Sequence, residues 1–216
     1  MTIADVQLHR VTRAFDGVPA IQHVDLEVSR GERVWLCGSN GSGKSTLLRV
    51  VATALAPTFG GGAVLGFDLR TGRDEIRARV ELLGHRFRLY DELTALENLT
   101  FSCRLYDVPP ERIGPALERV GLEDVAHVRT AAFSQGMRQR VALARCLVRD
   151  PQVVLFDEPY AGLDVEAKAV VDDVLLEAAA RSRTVLVASH EPPPLGAVDR
   201  RILLEAGRVC PVQEVR

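Results

Sequence analysis

The segment Gly38-Ser39-Asn40-Gly41-Ser42-Gly43-Lys44-Ser45-Thr46 has the spacing G-x-x-x-x-G-K-[ST] of a loop that cradles phosphate. Glycines let such a backbone curl so that successive N–H groups point inward at anionic oxygens. A helix opening directly after the loop adds the partial positive charge of its N-terminus. In that arrangement Lys44 reaches the β- and γ-phosphates and the Ser45 hydroxyl binds magnesium. Lysine is scarce here, Lys44 and Lys168 standing against arginine everywhere else. A compact point charge suits clustered phosphate oxygens better than a planar fork. The loop alone leaves kinases and switch GTPases open as classes.

A second candidate site narrows the field. Val153-Val154-Leu155-Phe156-Asp157-Glu158-Pro159 reads as a buried strand ending in two adjacent acids. Carboxylates so placed repel each other unless a cation sits between them and the phosphates. Asp157 is the natural magnesium partner, and Glu158 is placed to orient or deprotonate an attacking water.

The third signal is Phe133-Ser134-Gln135-Gly136-Met137, followed by the amphipathic run Arg138-Gln139-Arg140-Val141-Ala142-Leu143-Ala144-Arg145. It resembles the signature of the ABC ATPases, usually written LSGGQ. Ser134 and Gly136 match that motif, whereas Phe133, Gln135 and Met137 depart from it. The resemblance extends along essentially the whole chain. It implies ATP and magnesium as ligands, with Lys44, Glu158 and His190 catalytic. Phe15 would stack on adenine, Ser134 and Gly136 would face phosphate across a dimer, and Ala161-Gly162-Leu163-Asp164 would cross the dimer interface. The position that many of these ATPases fill with glutamine, ahead of Leu93-Thr94-Ala95-Leu96-Glu97-Asn98-Leu99, is His85, a candidate metal ligand whose charge depends on pH. Leu83-Gly84-His85, the Leu93–Leu99 segment and Gly38-Ser39-Asn40 further resemble the CcmA group, the ATPases of cytochrome c maturation once called haem exporters. The implied partners are integral membrane transporter subunits and a second copy of the chain, not nucleic acid. An ATPase of another exporter and a force-transmitting ABC module are the alternatives.

These residues need a scaffold of alternating strands and helices. Strands are expected at Val6 to Val11 and Val24 to Val28 around an Asp16-Gly17 turn, then at Arg33 to Cys37. Leu47, Leu48, Val51 and Leu55 have helical spacing that Pro57 ends, and Gly60-Gly61-Gly62 reads as a turn. Arg79 to Leu83 is a strand, Leu93 to Arg149 is mostly helical, and Val153 to Phe156 is a strand. A helix from Glu166 to Ala180 and strands Thr184 to Ala188 and Arg201 to Leu204 complete the order. Parallel strands joined by helices make an α/β layer structure with a helical insertion. The resemblance implies a P-loop NTPase (RecA-like) core with an N-terminal antiparallel β subdomain and an inserted α-helical subdomain. On that resemblance residues 1–216 would form one ABC ATPase domain, with core and β subdomain in roughly 1–87 and 150–216 and the helical subdomain in roughly 88–149.

Bulk composition agrees. The chain has 216 residues, 47% hydrophobic and 26% charged, as an ordinary globular domain does. A formal net charge of −2 argues against a dedicated nucleic-acid binder. No apolar stretch approaches the roughly 20 residues of a membrane span, and the N-terminus has no secretory pattern. Cys37, Cys103, Cys146 and Cys210 are widely spaced and read as reduced thiols. The expected location is the cytoplasmic face of the inner membrane, reached peripherally through a partner.

Overall fold

The structure, a computed structural model, describes residues 4–84, 87–163, 165–194 and 196–210, without the side chain of Glu166. His85 and Asp164, both singled out above, lie outside the described residues. The chain divides into two compact units: Met1–Gly84, Gln152–Pro159 and Leu175–Arg216 in the first, His85–Pro151 and Tyr160–Val174 in the second.

In the first unit β1 (Ala4–Phe15) and β2 (Val18–Ser29) form a hairpin whose loop residues, Asp16 and Gly17, both have positive φ. β3 (Arg33–Cys37) leads into the phosphate loop and α1 (Lys44–Val51). β4 (Phe59–Val64), β5 (Phe67–Asp68), α2 (Arg73–Arg79) and β6 (Val80–Leu83) follow.

The second unit carries α3 (Ala95–Tyr106), α4 (Ile113–Arg119) and α5 (Gln135–Arg149). The chain then adds β7 (Val153–Asp157), α6 (Val165–Ala180), β8 (Thr184–Ala188), β9 (Arg200–Glu205) and β10 (Arg208–Val209).

Two sheets organise the first unit. One is antiparallel in the order β2-β1-β4-β5; the other runs β10-β9-β3-β8-β7-β6, parallel except at its β10 edge. β7 and β8 are buried at every position, as central parallel strands covered on both faces must be. Val34 and Leu36 of β3 join Leu47, Leu48, Val50 and Val51 of α1 in one core cluster with Val6, Leu8 and Val11 of β1. Burial of these side chains holds the phosphate loop between a fixed strand and a fixed helix.

The glycine run does not form a turn. Gly60, Gly61 and Gly62 belong to β4, where a Cβ on Gly62 would stand 2.0 Å from the Gln7 carbonyl oxygen of β1. Glycine is there because two backbones approach too closely for a side chain. α1 also ends earlier than the Leu47–Leu55 spacing predicts. Thr53 takes φ 54°, and its carbonyl accepts from Arg73 Nη2 at 3.2 Å and Arg77 Nη2 at 3.1 Å. Those guanidinium contacts satisfy a carbonyl that a longer helix would have used. α2 and β5 carry too short a pattern to stand out in the sequence.

In the second unit the Leu93–Leu99 segment is a helix start. Thr94 Oγ1 accepts from the Glu97 N–H at 3.1 Å, and Glu97 Oε2 accepts from the Thr94 N–H at 2.8 Å, a capping box. Asn98 Oδ1 accepts from the Tyr90 N–H at 2.8 Å, while Nδ2 donates to the Tyr90 and Thr94 carbonyls at 3.0 and 2.9 Å. The segment therefore pins the loop from Tyr90 to Thr94. Among the described residues no helix is long and apolar enough to cross a membrane.

Candidate phosphate-binding site

Lys44 opens α1 behind Gly43, which holds φ 104° where a Cβ would stand 2.5 Å from the Ala20 carbonyl oxygen. Only glycine fits that corner. The Lys44 side chain is buried, and its Nζ donates to the carbonyls of Gly38 at 2.8 Å and Ser39 at 3.2 Å. Ser42 is buried as well, and its hydroxyl has no hydrogen-bond partner among the described residues. An ammonium and a bare hydroxyl inside a glycine-rich loop ahead of a helix fit a phosphate group.

Both acids arrive from the end of β7, which lies two strands from β3 in the same sheet. Asp157, the last residue of β7, accepts a 2.6 Å hydrogen bond from Ser45 Oγ. Glu158 leaves the strand at φ 52°, its N–H donating to the Ala188 carbonyl of β8 at 2.7 Å. A side chain in this left-handed region costs about 1–3 kcal/mol and persists where the surroundings dictate it. Its Oε1 lies 3.6 Å from Lys44 Nζ and 3.6 Å from His190 Nε2. His190 follows β8 and places Nε2 at 2.6 Å from Asn40 Oδ1 of the loop. Lys44, Ser45, Asn40, Asp157, Glu158 and His190 thus converge on one mouth although they come from three stretches of the chain.

The hydroxyl and carboxylate of Ser45 and Asp157 are hard oxygen donors lying together beside the loop. Magnesium takes one or two such protein oxygens and completes its shell with water and phosphate, so the pair fits that ion. Among the described residues no cluster of three or more His, Cys, Asp or Glu could hold a metal by itself. A Cβ on Gly84 would stand 3.2 Å from Asp157 Cβ, which puts the residue ahead of position 85 against this carboxylate.

Phe15 stands at the hairpin end, 42% exposed, with the Arg13 guanidinium 4.6 Å from its ring centroid. Ser134 and Gly136 belong to the second unit. Ser134 caps α5, its Oγ accepting from the Met137 N–H at 3.2 Å, and the next residues open the helix. In the same unit a Cβ on Gly162 would lie 3.5 Å from Gln135 Nε2, so Gln135 packs beside the Ala161–Leu163 loop. Two contacts escaped the sequence reading, the Asn40–His190 hydrogen bond and a contact from Trp35 to the carbonyl ahead of His190. Only the presence of an indole in a strand of small and aliphatic residues hinted at the latter.

The family model described as ABC transporter matches residues 21–161. The chain is 37% identical over 198 residues to the ABC transporter ATP-binding protein NatA of Bacillus subtilis, covering 89% of this chain and 80% of that protein. It is 35% identical over 215 residues to the glutamate/aspartate import ATP-binding protein GltL of Escherichia coli, covering 94% and 88%. A solved structure described as a dimeric, post-hydrolysis state of the ATP-binding cassette MJ0796 bound to ADP and Pi superposes with a TM-score of 0.88 at 28% identity, covering 98% of this chain and 99% of that one. These likenesses confirm the expected fold class. With the phosphate loop, the paired acids and the family match on one chain, the protein belongs to the ABC transporter family as an ATP-hydrolysing subunit.

Proposed function

We propose that Lys44, Ser45, Asp157, Glu158 and His190 bind and hydrolyse ATP with magnesium in a site completed by Ser134 and Gly136 of a second copy of the chain. The observation that carries this reading is the convergence of an ammonium, a hydroxyl–carboxylate pair, a second carboxylate and an imidazole on one phosphate loop. Lys44 holds the β- and γ-phosphates, and the loop residues Gly38 to Thr46 wrap them. Ser45 and Asp157 hold magnesium, with His85 a further ligand; when bound, the ion neutralises charge on the phosphates. Glu158 orients the attacking water or takes its proton, and His190 hydrogen-bonds the γ-phosphate. Phe15 stacks on adenine.

The start of α5 explains the dimer. A helix of 15 residues presents partial positive charge and free N–H groups at Gln135 and Gly136. One chain with two anion-facing helix starts is accounted for if each nucleotide lies between the loop of one copy and the α5 start of the other. The dimeric, ADP- and Pi-bound MJ0796 supports that arrangement. ATP closes the pair and hydrolysis reopens it. The helical subdomain, roughly 88–149, and the segment Leu83 to Leu99 would receive a helix of an integral membrane subunit at the cytoplasmic face of the inner membrane. Light scattering on Glu158→Gln tests the reading: with ATP and magnesium the mass should double, and with ADP it should not. A monomer under both conditions would sink it.

For cargo, the resemblance of Leu83-Gly84-His85 and the Leu93–Leu99 segment supports the cytochrome c maturation complex, the former haem exporter. GltL is named for amino-acid import, and that relative supports the competing reading of an importer. Covalent haem in the host's c-type cytochromes separates the two. Loss in Glu158→Gln with membrane b-type haem retained supports maturation, and intact c-type cytochromes exclude it.

A further inference from the structure

The chain has one tryptophan, Trp35, on β3 just ahead of the phosphate loop. Val34 and Leu36 point into the core, so Trp35 lies on the other face of the strand, partly buried. Its indole N–H donates to the carbonyl of Ser189 at 3.2 Å. Ser189 is 1% exposed and is held at each of its polar groups. Its N–H donates to the Leu36 carbonyl at 3.3 Å, its hydroxyl donates to the Glu191 carbonyl at 2.6 Å, and its carbonyl takes the indole. The next residue is His190.

A parallel ladder would offer the Ser189 carbonyl an N–H from further along β3. That strand ends at Cys37, where the chain turns into the loop, and the Trp35 side chain supplies the donor from the same strand. The indole is itself fixed. Arg201, its register partner on β9, places the guanidinium carbon 5.1 Å from the ring centroid and donates through Nε to Cys37 Sγ at 2.9 Å. By contrast, the His190 side chain is 46% exposed, with Asn40 Oδ1 and Glu158 Oε1 as its neighbours. Those two contacts hold one edge of the ring, and the backbone from which it projects sets the rest of its aim.

We infer that Trp35 is a positioning residue for His190, acting through the Ser189 carbonyl to hold the imidazole at the nucleotide's terminal phosphate. The inference rests on His190 contacting that phosphate. An imidazole misplaced by about 1 Å loses on the order of 10²-fold in rate, so a freed pivot at Ser189 reaches the chemistry without touching substrate.

The test is a kinetic cycle of wild type, Trp35→Phe, His190→Ala and the double variant, with thermal unfolding followed alongside. Trp35→Phe should lower kcat about tenfold and leave the KM for ATP within about twofold. In the His190→Ala background the same change should have no further effect, because the group it aims is gone. Wild-type kcat in Trp35→Phe, or an equal loss in both backgrounds, overturns the inference. Full turnover in His190→Ala would remove the assignment of His190 itself, a separate failure. Should Trp35→Phe unfold, biosynthetic incorporation of benzothienylalanine replaces the indole N–H with sulfur at this single position while keeping the ring shape. The same tenfold loss is expected, and unchanged kcat overturns the proposal.

Discussion

His190 Nε2 lies 2.6 Å from Asn40 Oδ1 and 3.6 Å from Glu158 Oε1, so one imidazole edge spans the phosphate loop and the acid that follows β7. An amide oxygen only accepts, and Nε2 therefore carries hydrogen in this contact. That N–H faces the place where a terminal phosphate would enter. The lysine, the two acids and the histidine form one electrostatic unit.

Replacing Glu158 with glutamine keeps its shape and removes the base. ATP turnover should fall by about 10²–10⁴-fold, with nucleotide affinity changed only a few-fold. Phosphate release and nucleotide titration measure the two quantities. Undiminished turnover would sink Glu158 as the catalytic carboxylate.

Phe15→Ala should raise the Kd for ATP roughly tenfold, the size of one lost base–aromatic stack. The ring is 42% exposed, so the melting temperature should barely move. Phe15→Tyr should retain affinity. Equal affinities in all three proteins would mean that adenine lies elsewhere.

Gly43→Ala places a Cβ 2.5 Å from the Ala20 carbonyl oxygen and 2.7 Å from Ile21 Cγ2 at φ 104°. Backbone strain alone costs about 1–3 kcal/mol, and the clash adds to it. Calorimetry should show a melting temperature at least about 3 °C lower, and nucleotide binding should be lost with the loop geometry. A variant that melts with the wild type would show that the loop relaxes without cost.

The Arg33 guanidinium, hydrogen-bonded to Asp199, holds that carboxyl below its ordinary value of 3.8. A lowered folded-state pKa contributes stability above the unfolded value and loses it as pH falls through the folded one. Asp199→Asn should therefore melt below the wild type at neutral pH, and the gap should close below about pH 4. The Asp199 side chain is 42% exposed, so solvent screens the pair and the gap is small. A gap that persists unchanged into that acid range would place the effect in packing rather than charge.

The features legible in the sequence are those written in contiguous residues. The phosphate loop, the acids after Val153–Phe156 and the capped start of α5 each specify their own backbone, through glycine, an apolar run or an N-cap serine. β7 and β8 could be drawn from their apolar runs alone, because a strand buried on both faces leaves no polar alternation. Gly60-Gly61-Gly62 reads in the sequence as a turn, although glycine serves a close approach of two backbones equally well. Only the Gln7 carbonyl, brought in by β1, decided between them.

By itself, then, the amino-acid sequence determined the phosphate loop, the strand–acid pair, the α5 cap and through them the ATPase family. The tertiary structure alone decided that Asn40 meets His190, that Glu158 faces Lys44, that Thr53 ends α1, and that Trp35 reaches the Ser189 carbonyl. Local propensity and spacing act over a few residues. These contacts join the ends of different strands and loops, and sheet order and register bring those ends together only after the chain has folded.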